Sequence, residues 1–174
     1  MLKKAYFLFI FCLFINSLFS LDLSSGYKDI KLGMSKDEVS GLLKKSVDFD
    51  AQREEILSIR LDPDSEIISA KGRGYINRAY FHFSKGVLFQ IFMLFDSKKI
   101  DYYSLLKNNT KKYGAPKNFD PERSSWENKE IKIVIEKPSS LKYLFLPIWN
   151  DLIKKDSSVD DLNLEMRNKF IDNL

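Results

Sequence analysis

Few residues of this 174-residue chain could do chemistry, and the first of them is its single histidine, His82. One imidazole excludes a two-histidine metal site and leaves a Ser/His arrangement as the option to weigh, with His82 as the base. That arrangement also needs a nucleophile and an orienting acid, and spacing along the chain supplies neither. His82 alternates with Phe81 and Phe83 and faces the same way as Arg78 and Tyr80, so a half-exposed strand position is the expected role. The chain's one cysteine, Cys12, lies inside an apolar leader. A domain that lost the leader would have no thiol for a disulfide, a nucleophile or a metal ligand.

The acidic pairs Glu54 and Glu55, Asp62 and Asp64, and Asp160 and Asp161 lack the alternating oxygen ligands and the glycine of a calcium loop. Asp62 and Asp64 flank Pro63 in a turn, and Asp160 and Asp161 suit the positive end of a helix dipole. Gly72-Arg73-Gly74 has no following Lys-Ser/Thr and opens no helix, so it reads as a turn rather than a phosphate loop. No catalytic residue, cofactor site or metal site is therefore expected, and the chain reads as a non-enzyme. The aromatic residues Tyr75, Tyr102, Tyr103 and Trp126 are the candidates for a binding surface, because exposed aromatic anchors dominate interface energetics. Core packing is the competing role for most of them, along with Trp149. Tyr103, beside a core-facing Tyr102, is the leading candidate.

The elements that must position these residues follow from periodicity. Ser35-Lys36-Asp37-Glu38 has capping-box spacing, with Met34 and Val39 placed as a hydrophobic staple, and Val39, Leu42 and Leu43 predict an amphipathic helix over 36–45. Ile56 to Leu61 and Ile67-Ile68 flank Asp62-Pro63-Asp64-Ser65, which predicts two short strands and a turn. Residues 75–96 alternate on both sides of Ser84-Lys85-Gly86 and predict a β-hairpin. Its second strand is apolar on both faces, which places it centrally or under a helix. A second helix is expected over 101–113, stopped by Gly114 and Pro116. Strands at 125–127 and 131–135 flank a turn at Asn128-Lys129, and another runs from Leu141 to Leu146 before Pro147. Ser158 and Asp161 cap a last helix with Leu162, Met166 and Phe170 on one side. Strands joined by short turns pair antiparallel, so the class is α+β, an antiparallel sheet with helices packed on one face.

Residues 1–20 read as a signal peptide. Lys3 and Lys4 precede an apolar run from Ala5 to Ile15, and Ser17 and Ser20 offer cleavage points. The run is shorter than the roughly 20 residues of a membrane-spanning helix, and Cys12 lies too deep within it for a lipid anchor. The formal net charge is +4, of which Lys3 and Lys4 contribute two. The remaining near balance, with lysines interleaved among acids, does not suit a nucleic-acid partner. The expected organisation is a signal peptide over 1–20, one domain over 21–156 and an amphipathic helix over 157–174.

Ile30-Lys31-Leu32-Gly33-Met34-Ser35-Lys36-Asp37-Glu38-Val39 resembles the helix start of small exported bacterial proteins of the SmpA/OmlA (BamE) type and of the β-lactamase-inhibitor-protein-like fold. Lys112-Tyr113-Gly114-Ala115-Pro116 and Ser125-Trp126-Glu127 look like that group's second half. The resemblance implies a helix-plus-antiparallel-sheet module, open to tandem duplication, that works in the bacterial envelope. This chain departs from the assembly lipoproteins in having no cysteine after its expected cleavage site. The expectation is a periplasmic or secreted protein that binds an envelope protein partner as an assembly module. A carrier of a small apolar ligand or peptide is the alternative, and a deep apolar cavity is the feature that separates the two.

Overall fold

A computed structural model describes residues 22–58 and 65–154. The expected signal peptide, the Pro63 turn and the helix over 157–174 lie outside the described residues. A small hairpin, β1 (Gly26–Tyr27) and β2 (Ile30–Lys31), precedes α1 (Lys36–Lys45). The strands β3 (Phe49–Ser58), β4 (Ser65–Gly72), β5 (Ile76–Ser84) and β6 (Val87–Phe95) then lead to α2 (Tyr102–Tyr113). A second set follows: β7 (Asn118–Phe119), β8 (Arg123–Glu127), β9 (Ile131–Glu136) and β10 (Ser140–Phe145). A third helix, α3, is described over 146–154.

The capping box at α1 is present in full: the Ser35 side chain accepts from the Glu38 N–H, and Glu38 accepts from the Ser35 N–H at 2.8 Å. That bond from the Ser35 backbone holds the Glu38 carboxyl below its usual range. Val39 and Leu43 are buried on the inner side of the helix. Asp101 caps α2 through the Ser104 N–H at 2.7 Å, and Gly114 ends it at φ +77°, a backbone angle that glycine adopts without strain.

All eight long-range strands form one antiparallel sheet in the order β3-β4-β5-β6-β10-β9-β8-β7. Each half is a helix followed by an antiparallel meander, and the last strands of the halves meet at the centre. There β6 pairs with β10 from Leu94↔Ser140 to Gln90↔Leu144. The inner face carries Ile68, Phe81, Ile91, Met93, Ile133, Ile135 and Trp126, which join Val39, Leu43, Tyr102, Leu105 and Tyr113 of the two helices in one core. An α+β antiparallel sheet with α1 and α2 on one face is thus the architecture.

Three features depart from the sequence reading. Phe49 opens a strand ten residues long, because it packs edge-on against Phe81 at 5.9 Å and draws the chain into the sheet at that point. The hairpin β1–β2 is a pair of two-residue strands that the periodicity does not predict. Pro147 lies in the first turn of a helix rather than merely ending a strand, since its missing N–H has no intrahelical acceptor to serve there. A bulge between His82 and Phe83 pairings leaves Phe89 as an extra residue on β6. Its ring meets His82 at 6.2 Å and Trp149 of α3 at 6.4 Å, so α3 touches the outer face, opposite α1 and α2.

Burial of His82 disfavours the imidazolium and pushes its pKa down to about 4 from 6.5. The unfolded chain therefore takes up the proton first. The stability contributed by the neutral ring is complete above pH 6.5 and is lost as pH falls towards 4, by on the order of 3 kcal/mol. Denaturant titrations across that range should show the loss, and His82→Gln should remove that part of the slope. Ser35→Ala should lower stability by about 1 kcal/mol through loss of the cap, read as a drop in Tm with no change in the β-sheet circular dichroism signal.

Candidate contact surface at the loop end of the sheet

Antiparallel pairing sorts the connections into two ends, and at one end five of them gather. These are the α1–β3 connection with the β1–β2 turn beside it, the β4–β5 turn, the segment from β6 into α2, the β7–β8 turn and the β9–β10 turn. Register fixes this grouping: Phe49↔Gly72, Ile76↔Phe95, Leu94↔Ser140, Ser140↔Glu136 and Glu136↔Arg123 lie along one edge line across the sheet.

Among the described residues, five large apolar side chains are exposed; two of them stand in these connections and two beside them, in the first turn of α2 and at the last residue of β7. Val47 is 77% exposed, Tyr75 62%, Tyr103 67% and Phe119 67%, while the fifth, Ile153, is on α3.

Cross-links hold the connections to one another. The Arg73 N–H donates to the Asp48 carbonyl at 2.8 Å, and Lys99 Nζ donates to the Gly74 carbonyl at 2.9 Å. The Asp96 N–H donates to the Tyr75 carbonyl at 2.9 Å, and the Ser139 hydroxyl donates to the Ile100 carbonyl. Lys137 donates from its backbone to the Glu122 carbonyl and from Nζ to the Glu122 carboxylate, both at 3.0 Å. That second bond raises the Lys137 pKa, and the same ammonium lies 5.9 Å from the ring centres of Tyr102 and Tyr103. Gly72 allows the tight β4–β5 turn, since a Cβ there would lie 2.3 Å from the Ile76 carbonyl oxygen. Tips braced in this way lose little conformational freedom when a partner covers them.

The four aromatic candidates divide. Tyr103 and Tyr75 are exposed at this end. Tyr102 is 3% exposed and Trp126 is wholly buried, so these two belong to the core rather than to a contact surface. The Tyr102 hydroxyl lies 2.7 Å from Ser124 Oγ, and the Trp126 indole N–H donates to the Gly114 carbonyl at 2.8 Å. Both polar tips thus find partners inside, which is what allows burial of the rings. Val47 and Phe119 were not singled out from sequence. Each is a lone apolar residue in a polar connection, Lys45-Ser46-Val47-Asp48 and Asn118-Phe119-Asp120-Pro121, and that isolation was the available signal.

Beside Val47 a cavity of about 310 Å³ opens between the β1–β2 turn and the end of α1, with Ile30, Leu42 and Phe49 as apolar walls and Lys28, Lys45 and Asp48 among its polar lining. Asp48 is engaged there by the Lys28 ammonium and by the Tyr27 hydroxyl, which donates at 3.1 Å. Burial and then the Asp48 carboxylate raise the Tyr27 pKa, while the hydrogen bond to Asp48 raises that of Lys28.

Residues 25–155, about three quarters of the chain, match the TP0088 domain. The chain belongs to the TP0088 domain family. No curated protein and no solved structure matches it. The family's span takes in every strand of the sheet and so the whole loop end.

Side-chain truncation should separate surface from core. Tyr75→Ser and Tyr103→Ser should each change unfolding free energy by no more than about 0.5 kcal/mol, whereas Trp126→Ala should cost about 3–5 kcal/mol. Urea unfolding of the three variants reads both outcomes.

Proposed function

We propose that this TP0088-domain protein is an exported, non-catalytic module of the bacterial envelope that binds a protein partner through the loop end of its sheet. The observation that carries this reading is the gathering of Val47, Tyr75, Tyr103 and Phe119 on connections braced against one another. Aromatic side chains on a rigid frame supply large contact area at low entropic cost and are enriched in the energetic centres of protein interfaces. Eight strands at about 4.8 Å spacing make the line of tips about 35 Å long, the scale of a protein footprint rather than of a small ligand. Residues 1–20 support export on the sequence grounds given above.

Carriage of a small apolar ligand is the second reading, and the cavity beside Phe49 favours it. At about 310 Å³ it stands at the lower bound for ligand pockets, so it ranks below the partner-binding reading.

The test places a photo-crosslinking benzoylphenylalanine at position 75 or 103 in the native host, with position 85 at the opposite end of the sheet as control. Discrete protein adducts from 75 and 103, absent from 85, are expected in the envelope fraction. No adduct, or equal adducts from all three positions, would refute partner binding at this end. N-terminal sequencing of the same material should find residues 1–20 removed, and recovery of the intact chain from the cytosol would refute export.

A further inference from the structure

The floor of the cavity beside Val47 belongs to the core. Ile30 and Phe49 are buried, the Tyr27 ring packs edge-on against Phe49 at 6.1 Å, and Phe49 packs in turn on Phe81. The rim is fixed by the Asp48 carboxylate, which takes both the Tyr27 hydroxyl and the Lys28 ammonium and so ties the β1–β2 turn to the α1–β3 connection. Val47 adds an exposed apolar lip. The volume of about 310 Å³ compares with about 150 Å³ for a cavity that holds benzene, so a phenyl or indole side chain fits with room for the backbone that carries it.

Two charges on the wall have no partner within the protein. Lys45, the last residue of α1, and Asp29, on the β1–β2 turn, line this cavity from the two elements that bound it. Both are exposed, and among the described residues neither side chain makes an ion pair or a hydrogen bond. Lys28 and Asp48, by contrast, engage each other.

We propose that the cavity seats one aromatic side chain of the protein partner, carried on a segment with an acidic residue on one flank, to meet Lys45, and a basic residue on the other, to meet Asp29. This rests on the partner-binding reading and names the chemistry that the partner must present. Aromatic anchors in well-packed pockets carry most of the energy of an interface, and a floor already set by Phe49 and Phe81 needs little ordering when the anchor enters. Charges of opposite sign on the two bounding elements fix the direction of the segment, since rim charges contribute specificity and register more than affinity.

The test uses tripeptide probes followed by amide NMR of the full chain. Ac-Glu-Trp-Lys-NH2 should give saturable shifts at Ile30, Leu42 and Phe49, and Ac-Glu-Gly-Lys-NH2 should give none. Ac-Ser-Trp-Ser-NH2 should bind about fivefold more weakly than the charged tryptophan peptide, the effect of two exposed ion pairs. Lys45→Glu, a change at an exposed position, should reverse the preference, so that Ac-Lys-Trp-Lys-NH2 binds more tightly than Ac-Glu-Trp-Lys-NH2. Equal binding of the serine-flanked and charged peptides, or no reversal in Lys45→Glu, would overturn the proposal. Absence of shifts at the cavity would overturn it while crosslinked adducts from positions 75 and 103 left the partner-binding reading standing. Peptide binding in the cavity without any such adducts would refute that reading and this proposal together.

Discussion

The pairing of β6 with β10 is the constraint on which the rest of this structure depends. Each half of the chain is a helix and a four-strand meander, and neither half alone could cover both edges of its last strand. Antiparallel register from Leu94↔Ser140 to Gln90↔Leu144 closes those two edges against each other and removes the exposed ladder that invites aggregation. It also sets the helices. Ser35, at the start of α1, bridges to Val87 at one end of β6, whereas α2 starts at the other end, so the two helices run in opposite senses over one core.

The same pairing decides where the exposed aromatic groups stand. In an antiparallel sheet every second connection falls at the same end, so residues from five separate stretches of sequence are collected along one line. Hydrogen bonds to carbonyls and carboxylates in neighbouring turns then brace that line. Tyr103 is exposed and Tyr102 buried at consecutive positions because the helix turns by about 100° per residue, which sends one ring outward and the other to Ser124. An exposed ring and part of the core are thus built from the same helical turn.

Much of the fold was legible in the chain. The capping box at Ser35, the alternation on both sides of Ser84-Lys85-Gly86, and the stop at Gly114 are local signals, and α1, β5, β6 and α2 lie within a residue or two of where those signals put them. Less legible were the elements whose cause is distant. Phe49 enters the sheet because of Phe81, the helix over 146–154 has Trp149 against a bulged Phe89, and the hairpin at Gly26–Lys31 has Tyr27 against Phe49. Of the four aromatic candidates, two proved to be core, since residue type alone does not distinguish a ring that anchors a partner from one that fills an interior.

Local sequence therefore determined the kinds of element present, their caps and turns, the antiparallel class and the apolar character of β6 on both faces. Those properties depend on backbone preferences and side-chain periodicity within a few residues, which the chain carries wherever it lies. Tertiary structure decided which ends of the strands share a surface, that Val47, Tyr75, Tyr103 and Phe119 stand on one line, and that His82 lies beside Phe89 with its proton affinity reduced. Those outcomes depend on register between strands far apart in sequence, and register is set only when the whole core packs.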